Sequence, residues 1–119
     1  MKISVIGLGY IGLPTAAVLA SRQFEVVGVD VNQHAVDTIN QGKIHIFEPD
    51  LDMLVQASVQ TGNLRAALQP EKADVFLVAV PTPFKGHYKP DLSFIESASI
   101  MILSHISFVS VSINSLYIF

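Results

Sequence analysis

Three glycines stand at G-x-G-x-x-G spacing in "IGLGYIG": Gly7, Gly9 and Gly12. Each position in such a motif answers a physical demand. The first allows a tight turn, the second lets the backbone approach a pyrophosphate unobstructed, and the third permits close packing of helix on strand. Spacing alone is weak evidence, because a glycine turn that holds no ligand has the same signature. Its surroundings add weight: the motif follows a β-branched run, Ile3 to Ile6, and precedes an alanine-rich segment of helical character. The free first-turn amides and positive dipole end of such a helix suit a pyrophosphate.

An acidic residue follows at a matching distance. Asp30 closes the next apolar run, "EVVGV", 18 residues beyond Gly12, near the offset of about 20 residues at which a carboxylate meets the adenosine ribose. That carboxylate can accept hydrogen bonds from ribose hydroxyls and would repel a 2′-phosphate, and no Arg stands in "VDVNQHAVD" to neutralise one. NAD is therefore expected over NADP. Asp30 can also cap the helix that follows it, and the two roles are compatible. A third candidate is Thr82 in "VAVPTPFKG", at the end of an apolar run. It is expected to face the cofactor if that run lies beside the first strand; otherwise, Thr between two prolines only stabilises an extended turn.

Positioning these residues takes a particular scaffold. Short β-branched runs alternate with longer helix-like segments, which predicts βαβ units and an α/β fold with a Rossmann-like, doubly wound parallel sheet. Strands are expected at Ile3–Ile6, Glu25–Val29, around Asn63–Ala66 and at Asp74–Val80. The last, nearly continuous in apolar residues, reads as a buried central strand beside the first, on the side away from the second. Helices are expected over Tyr10–Arg22, Gln33–Asn40 and Pro49–Gln60, with Gly42 and Gly62 as stops. Pro14 is tolerated near a helix start, where amides lack intrahelical partners. The sheet edges then gather Gly7, Gly9, Gly12, Asp30 and Thr82 at one switch point.

Composition narrows the function classes. The 119 residues are half apolar and fit one small domain. A net charge of −3 without a Lys or Arg cluster leaves no footprint for nucleic acid or anionic lipid. The chain has no cysteine, which excludes disulfides, thiolate zinc sites and a cysteine nucleophile. His34, His45 and His105 share no ligand spacing, so no metal site is expected. Lys85, His87, Tyr88 and Lys89 read as a solvated loop. The N-terminus lacks the three regions of a secretory signal, and a cytoplasmic location is expected.

The segments "SVIGLGYIGLPTA", "GVDVNQHAVDTINQGKIHIFEPDL" and "VAVPTPFKGHYKPDLSFIESAS" resemble the N-terminal part of the UDP-glucose/GDP-mannose dehydrogenase family. Asp50 and "PTPFK" point towards its N-acetylmannosamine branch, since the UDP-glucose enzymes usually carry glycine where Asp50 stands. The resemblance implies NAD contacts at Tyr10, Ile11, Asp30 and Thr82. A basic residue that the UDP-glucose branch often places five after the ribose aspartate is Ala35 here, so that contact does not carry over. The family oxidises the C6 alcohol of a UDP-sugar to a carboxylate in two NAD-dependent steps, through a thiohemiacetal and a thioester on a cysteine. The resemblance places that cysteine, its lysine and asparagine partners and the UDP-binding domain beyond residue 119, so the isolated chain is expected to be inactive. Two alternatives are a non-catalytic nucleotide-binding or interaction module and the cofactor domain of another NAD-linked dehydrogenase.

The resemblance ends near Ser99. Ser93 and Glu96 stand at capping-box spacing, but from Ser97 to Phe119 there is no charged residue, and seven serines interrupt the apolar run. Those serines make it a poor membrane span. The alternation over Val109–Ile113 reads as a strand. The expected organisation is an incomplete NAD-binding domain over 1–99 and an atypical apolar, serine-rich tail over 100–119, as in a truncated or frameshifted product. An apolar tail beside an uncovered strand edge is expected to favour a homo-oligomer.

Overall fold

The computed structural model describes residues 1–80, 84–85, 89–90 and 111–113. β-branched runs fit a pleated, buried surface better than a helix, and four of them form the expected parallel strands. These are β1 (Lys2–Ile6), β2 (Glu25–Val29), β3 (Leu64–Ala67) and β4 (Val75–Val78). Beyond them come the two-residue strands β5 (Phe84–Lys85) and β6 (Lys89–Pro90), then β7 (Val111–Ile113). The main sheet has the order β3-β2-β1-β4-β7, parallel throughout, and Ile3 of β1 stands opposite Val26 on one side and Val75 on the other. The strand read at 109–113 is thus β7, which adds to the outer side of β4 with Phe76 opposite Val111. β4 is therefore not the uncovered edge that a half-sheet would have. Lys85 and Lys89 are not in a loop but pair in a small antiparallel ladder of β5 with β6.

Alternation along the strands sorts the core into two faces. Ile3 and Val5 of β1, with Val26 of β2, point to the side covered by three helices, while Ile6, Val27, Val29, Phe76 and Val78 cluster on the other. The helices are α1 (Gly12–Ser21), α2 (Gln33–Asn40) and α3 (Leu51–Gln60). α1 contributes Leu13, Ala16, Ala17 and Ala20 to the core, and its alanines let the backbone lie close to the sheet. α2 starts at Asn32, whose side chain accepts from the Ala35 amide at 3.1 Å. Gly42 and Gly62, at φ +76° and +81°, turn the chain out of α2 and α3 as expected.

Two helices start later than their sequence pattern. Tyr10 and Ile11 lie outside α1, with Ile11 as its N-cap residue. α3 begins at Leu51 because Asp50 takes the left-handed conformation, φ +65°, and makes no side-chain cap bond. That conformation favours glycine, which gives a physical reason for the glycine expected at this position in the UDP-glucose branch.

The outer edge of β3 is partly closed by a side chain. Asn40, the last residue of α2, donates to the Ala66 carbonyl at 2.9 Å and accepts from its amide at 2.8 Å. At the amino end of the sheet, Glu71 pairs with Arg65 and with Lys2 Nζ at 3.1 Å. The hydrogen bonds from Arg65 hold the Glu71 carboxyl down at about 2, and Glu71 in return raises Arg65. Among the described residues no helix is long and apolar enough to cross a membrane.

Candidate functional site

At the carboxyl ends of the strands the backbones remain bonded past the last ladder residues. The Gly7 amide donates to Val29 O at 2.7 Å, the Ala79 amide to Ile6 O at 2.7 Å, and the Asp30 amide to Ala67 O at 3.1 Å. The glycine turn is thereby fixed between the ends of β2 and β4, the switch point expected of this strand order.

The three glycines do different things there. Gly7 has φ +97°, and a Cβ on it would stand 2.5 Å from the Ala79 carbonyl oxygen. A Cβ on Gly12 would stand 1.7 Å from the Gly7 carbonyl oxygen. Neither position can hold a side chain without moving backbone. Gly9 is the opposite case, because among the described residues a Cβ there would meet nothing within 4 Å. Its missing side chain leaves open space in front of the turn, the form that close approach of a ligand backbone requires.

The start of α1 has no side-chain cap. Its first-turn donors are few, since Leu13 N–H is taken by Gly9 O and Pro14 has none. Among the described residues no acceptor meets the amides of Ile11 and Gly12, so they are available to an anion. Tyr10 and Ile11 are exposed beside them, 62% and 51%, and Val31 is 79% exposed after Asp30. Exposed apolar side chains of this kind offer contact area to the flat, partly apolar parts of a nucleotide.

Asp30 is brought directly to the glycine turn. Its Oδ2 accepts from the Leu8 amide at 3.0 Å and its Oδ1 from the Asn32 amide at 3.0 Å. The helix-capping alternative therefore falls to Asn32, while Asp30 ties the turn to the end of β2. Each carboxylate oxygen keeps further acceptor capacity for a hydroxyl. Thr82 lies outside the described residues, so the structure brings together Gly7, Gly9, Tyr10, Ile11, Gly12 and Asp30 of the expected set. Leu8, Gly28 and Asn32 were not anticipated. Leu8 is fully buried, and a Cβ on Gly28 would stand 2.6 Å from its Cδ2. An isolated glycine inside a strand run was the available signal, since it marks close approach by another group.

An open glycine turn between a buried strand and an uncapped helix, with a carboxylate anchored to it from the second strand, defines a dinucleotide-binding domain of the doubly wound class. Residues 1–115 match the model of the UDP-glucose/GDP-mannose dehydrogenase family, NAD binding domain. The chain belongs to that family, as part of its NAD-binding domain. It is 73% identical over 97 residues to NDP-N-acetyl-D-galactosaminuronic acid dehydrogenase of Ralstonia nicotianae, a match covering 82% of this chain and 23% of the relative. Against UDP-N-acetyl-D-mannosamine dehydrogenase of Escherichia coli K12 the identity is 65% with the same coverage. The native structure of UDP-N-acetyl-mannosamine dehydrogenase from Staphylococcus aureus superposes with a TM-score of 0.87 at 39% identity, over 89% of this chain and 26% of that one. The chain thus spans about a quarter of the length of these relatives.

Proposed function

We propose that this chain supplies the NAD cradle of a UDP-sugar 6-dehydrogenase whose substrate is UDP-N-acetyl-D-mannosamine, oxidised in two steps to the uronate. In this reading Gly7, Gly9 and Gly12 shape the pyrophosphate pocket, and the amides around Tyr10 and Ile11 with the start of α1 hold its charge. Asp30 receives the adenosine ribose hydroxyls, and Thr82, on the strength of the family resemblance, completes the contacts. NAD, when bound, supplies the hydride acceptor. The observation that carries this reading is the Asp30 carboxylate anchored to the glycine turn through the Leu8 amide, one residue before Gly9. A 2′-phosphate would meet that carboxylate, and the ion pairs among the described residues, Lys2–Glu71 and Arg65–Glu71, bring no cation to it.

The test is thermal melting of the purified chain with NAD and NADP separately. NAD should raise the melting temperature, NADP should do so far less, and Asp30→Ala should abolish the rise. No shift with either nucleotide would sink the reading. The isolated chain, which has no cysteine, should form no NADH from any UDP-sugar, and turnover by it would overturn the expected thiol chemistry. A second reading of the sugar rests on the 73% identity to the N-acetyl-D-galactosaminuronic acid enzyme. Grafting the matching 97-residue segment in place of its counterpart in the E. coli relative, then supplying each UDP-N-acetylhexosamine, would show which substrate it supports. A cytoplasmic location, a boundary near residue 99 and self-association of the chain belong to the same proposal.

A further inference from the structure

We propose that Leu8 and Gly28 are positioning residues for the Asp30 carboxylate, so that a glycine within β2 sets the affinity of the site for NAD. This inference rests on the NAD reading of Asp30 and concerns how that carboxylate is aimed. Leu8 is the residue between the first two glycines, where a side chain would be expected to face solvent with its neighbours. Tyr10 and Ile11, two and three positions on, are indeed exposed, but Leu8 is 0% exposed. Its burial needs a socket, and Gly28 is that socket. A Cβ on Gly28 would stand 2.6 Å from Leu8 Cδ2 and 2.9 Å from Cδ1, distances no carbon pair tolerates.

The consequence for chemistry lies in the Leu8 backbone. Driven down by its side chain, Leu8 presents its amide to Asp30 Oδ2, while the Asn32 amide takes Oδ1. Two donors on separate segments stop the carboxylate from rotating, so its remaining lone pairs keep one direction before any ligand arrives. A preorganised acceptor loses less freedom on binding than a free one. Filling the socket must displace the end of the Leu8 side chain, and because that side chain is wholly buried with no solvent to turn into, the displacement passes to its backbone, withdrawing the amide and freeing the carboxylate while the pairing of β1 with β2 stays in place.

Calorimetric titration of the whole chain with NAD and with NADP, at a temperature where circular dichroism shows each variant folded, tests this. Gly28→Ala should weaken NAD binding by about tenfold and narrow the preference for NAD over NADP. The pair Gly28→Ala with Leu8→Ala, which returns the space, should recover much of that loss. A purely structural role for Gly28 would change the melting temperature alone. A folded Gly28→Ala whose NAD affinity stays within about twofold of the parent would overturn the proposal. Should Gly28→Ala fail to fold, Leu8→Ala alone must weaken NAD to a similar degree, and unchanged affinity there would be equally fatal. Failure of the parent chain to bind NAD would instead overturn the underlying NAD reading, and this inference with it.

Discussion

Replacing Gly9 by alanine should separate binding from folding. The Gly9 backbone does not take the left-handed conformation, and among the described residues a Cβ there meets no atom within 4 Å. Alanine should therefore fit without strain, and its narrower unfolded ensemble should add about 0.4–1 kcal/mol of stability. For a domain of this size that amounts to a rise of a few degrees in melting temperature, at about 4–8 °C per kcal/mol. The same methyl occupies the space in front of the turn. With NAD at about 100 times its Kd, the parent gains about 2.7 kcal/mol from the ligand. A hundredfold weaker variant at the same concentration would gain only about 0.4 kcal/mol, so a ligand-induced rise on the order of 10 °C shrinks to about 2 °C. Differential scanning fluorimetry across an NAD titration reads both effects. An unliganded Gly9→Ala protein that melts more than about 4 °C below the parent would refute the reading of open space, and one that keeps the full NAD response would refute the position of the ligand. Gly7→Ala and Gly12→Ala are the contrasting controls, since their methyl groups would collide with the Ala79 and Gly7 carbonyls.

Asp50→Gly should raise stability by about 0.5–1 kcal/mol in urea unfolding, because it relieves a left-handed aspartate that caps nothing; a loss would show that Asp50 makes a contribution beyond its backbone. Asn40→Ala should cost about 1–3 kcal/mol and speed hydrogen exchange at the Ala66 amide, which loses its acceptor; unchanged exchange would remove Asn40 from the β3 edge. Glu71→Gln should cost under about 1 kcal/mol near neutrality, since the pair is partly exposed. A carboxyl lowered to about 2 contributes fully above its ordinary 4.5 and loses that contribution as pH falls through about 2, so parent and variant should converge in acid. A difference that persists there would contradict the assigned ion pair.

Local signals were read most faithfully where one residue type controls the backbone. β2 and α2 match their expected ranges to the residue, α2 because Asn32 caps it and Gly42 ends it. The place of β4 beside β1, on the side away from β2, follows from βαβ connectivity and was equally legible. What was not legible depends on contacts distant in sequence. The close approach of the Gly7 carbonyl, which only glycine at position 12 permits, is one such contact, and the delay of α3 comes from a left-handed Asp50. Sequence spacing brought Asp30 near a ribose, but gave no hint that both its oxygens are already engaged by amides, one of them 22 residues away. The Lys85 and Lys89 ladder was missed because Gly86 and the flanking prolines look like turn chemistry alone.

The position of β1 has a temporal consequence during synthesis. Of the described strands it leaves the ribosome first, and it is bonded on both sides, yet its β4 partner begins about 72 residues later, the separation of the Lys2 and Asp74 contact. At about 5–20 residues per second, one whole row of its amides and carbonyls waits roughly 4 to 14 seconds for closure. Over that interval the nascent domain is a β3-β2-β1 half whose growing edge, β1, becomes the middle of the finished sheet, and residues well buried in the finished protein are then open to a wrong partner.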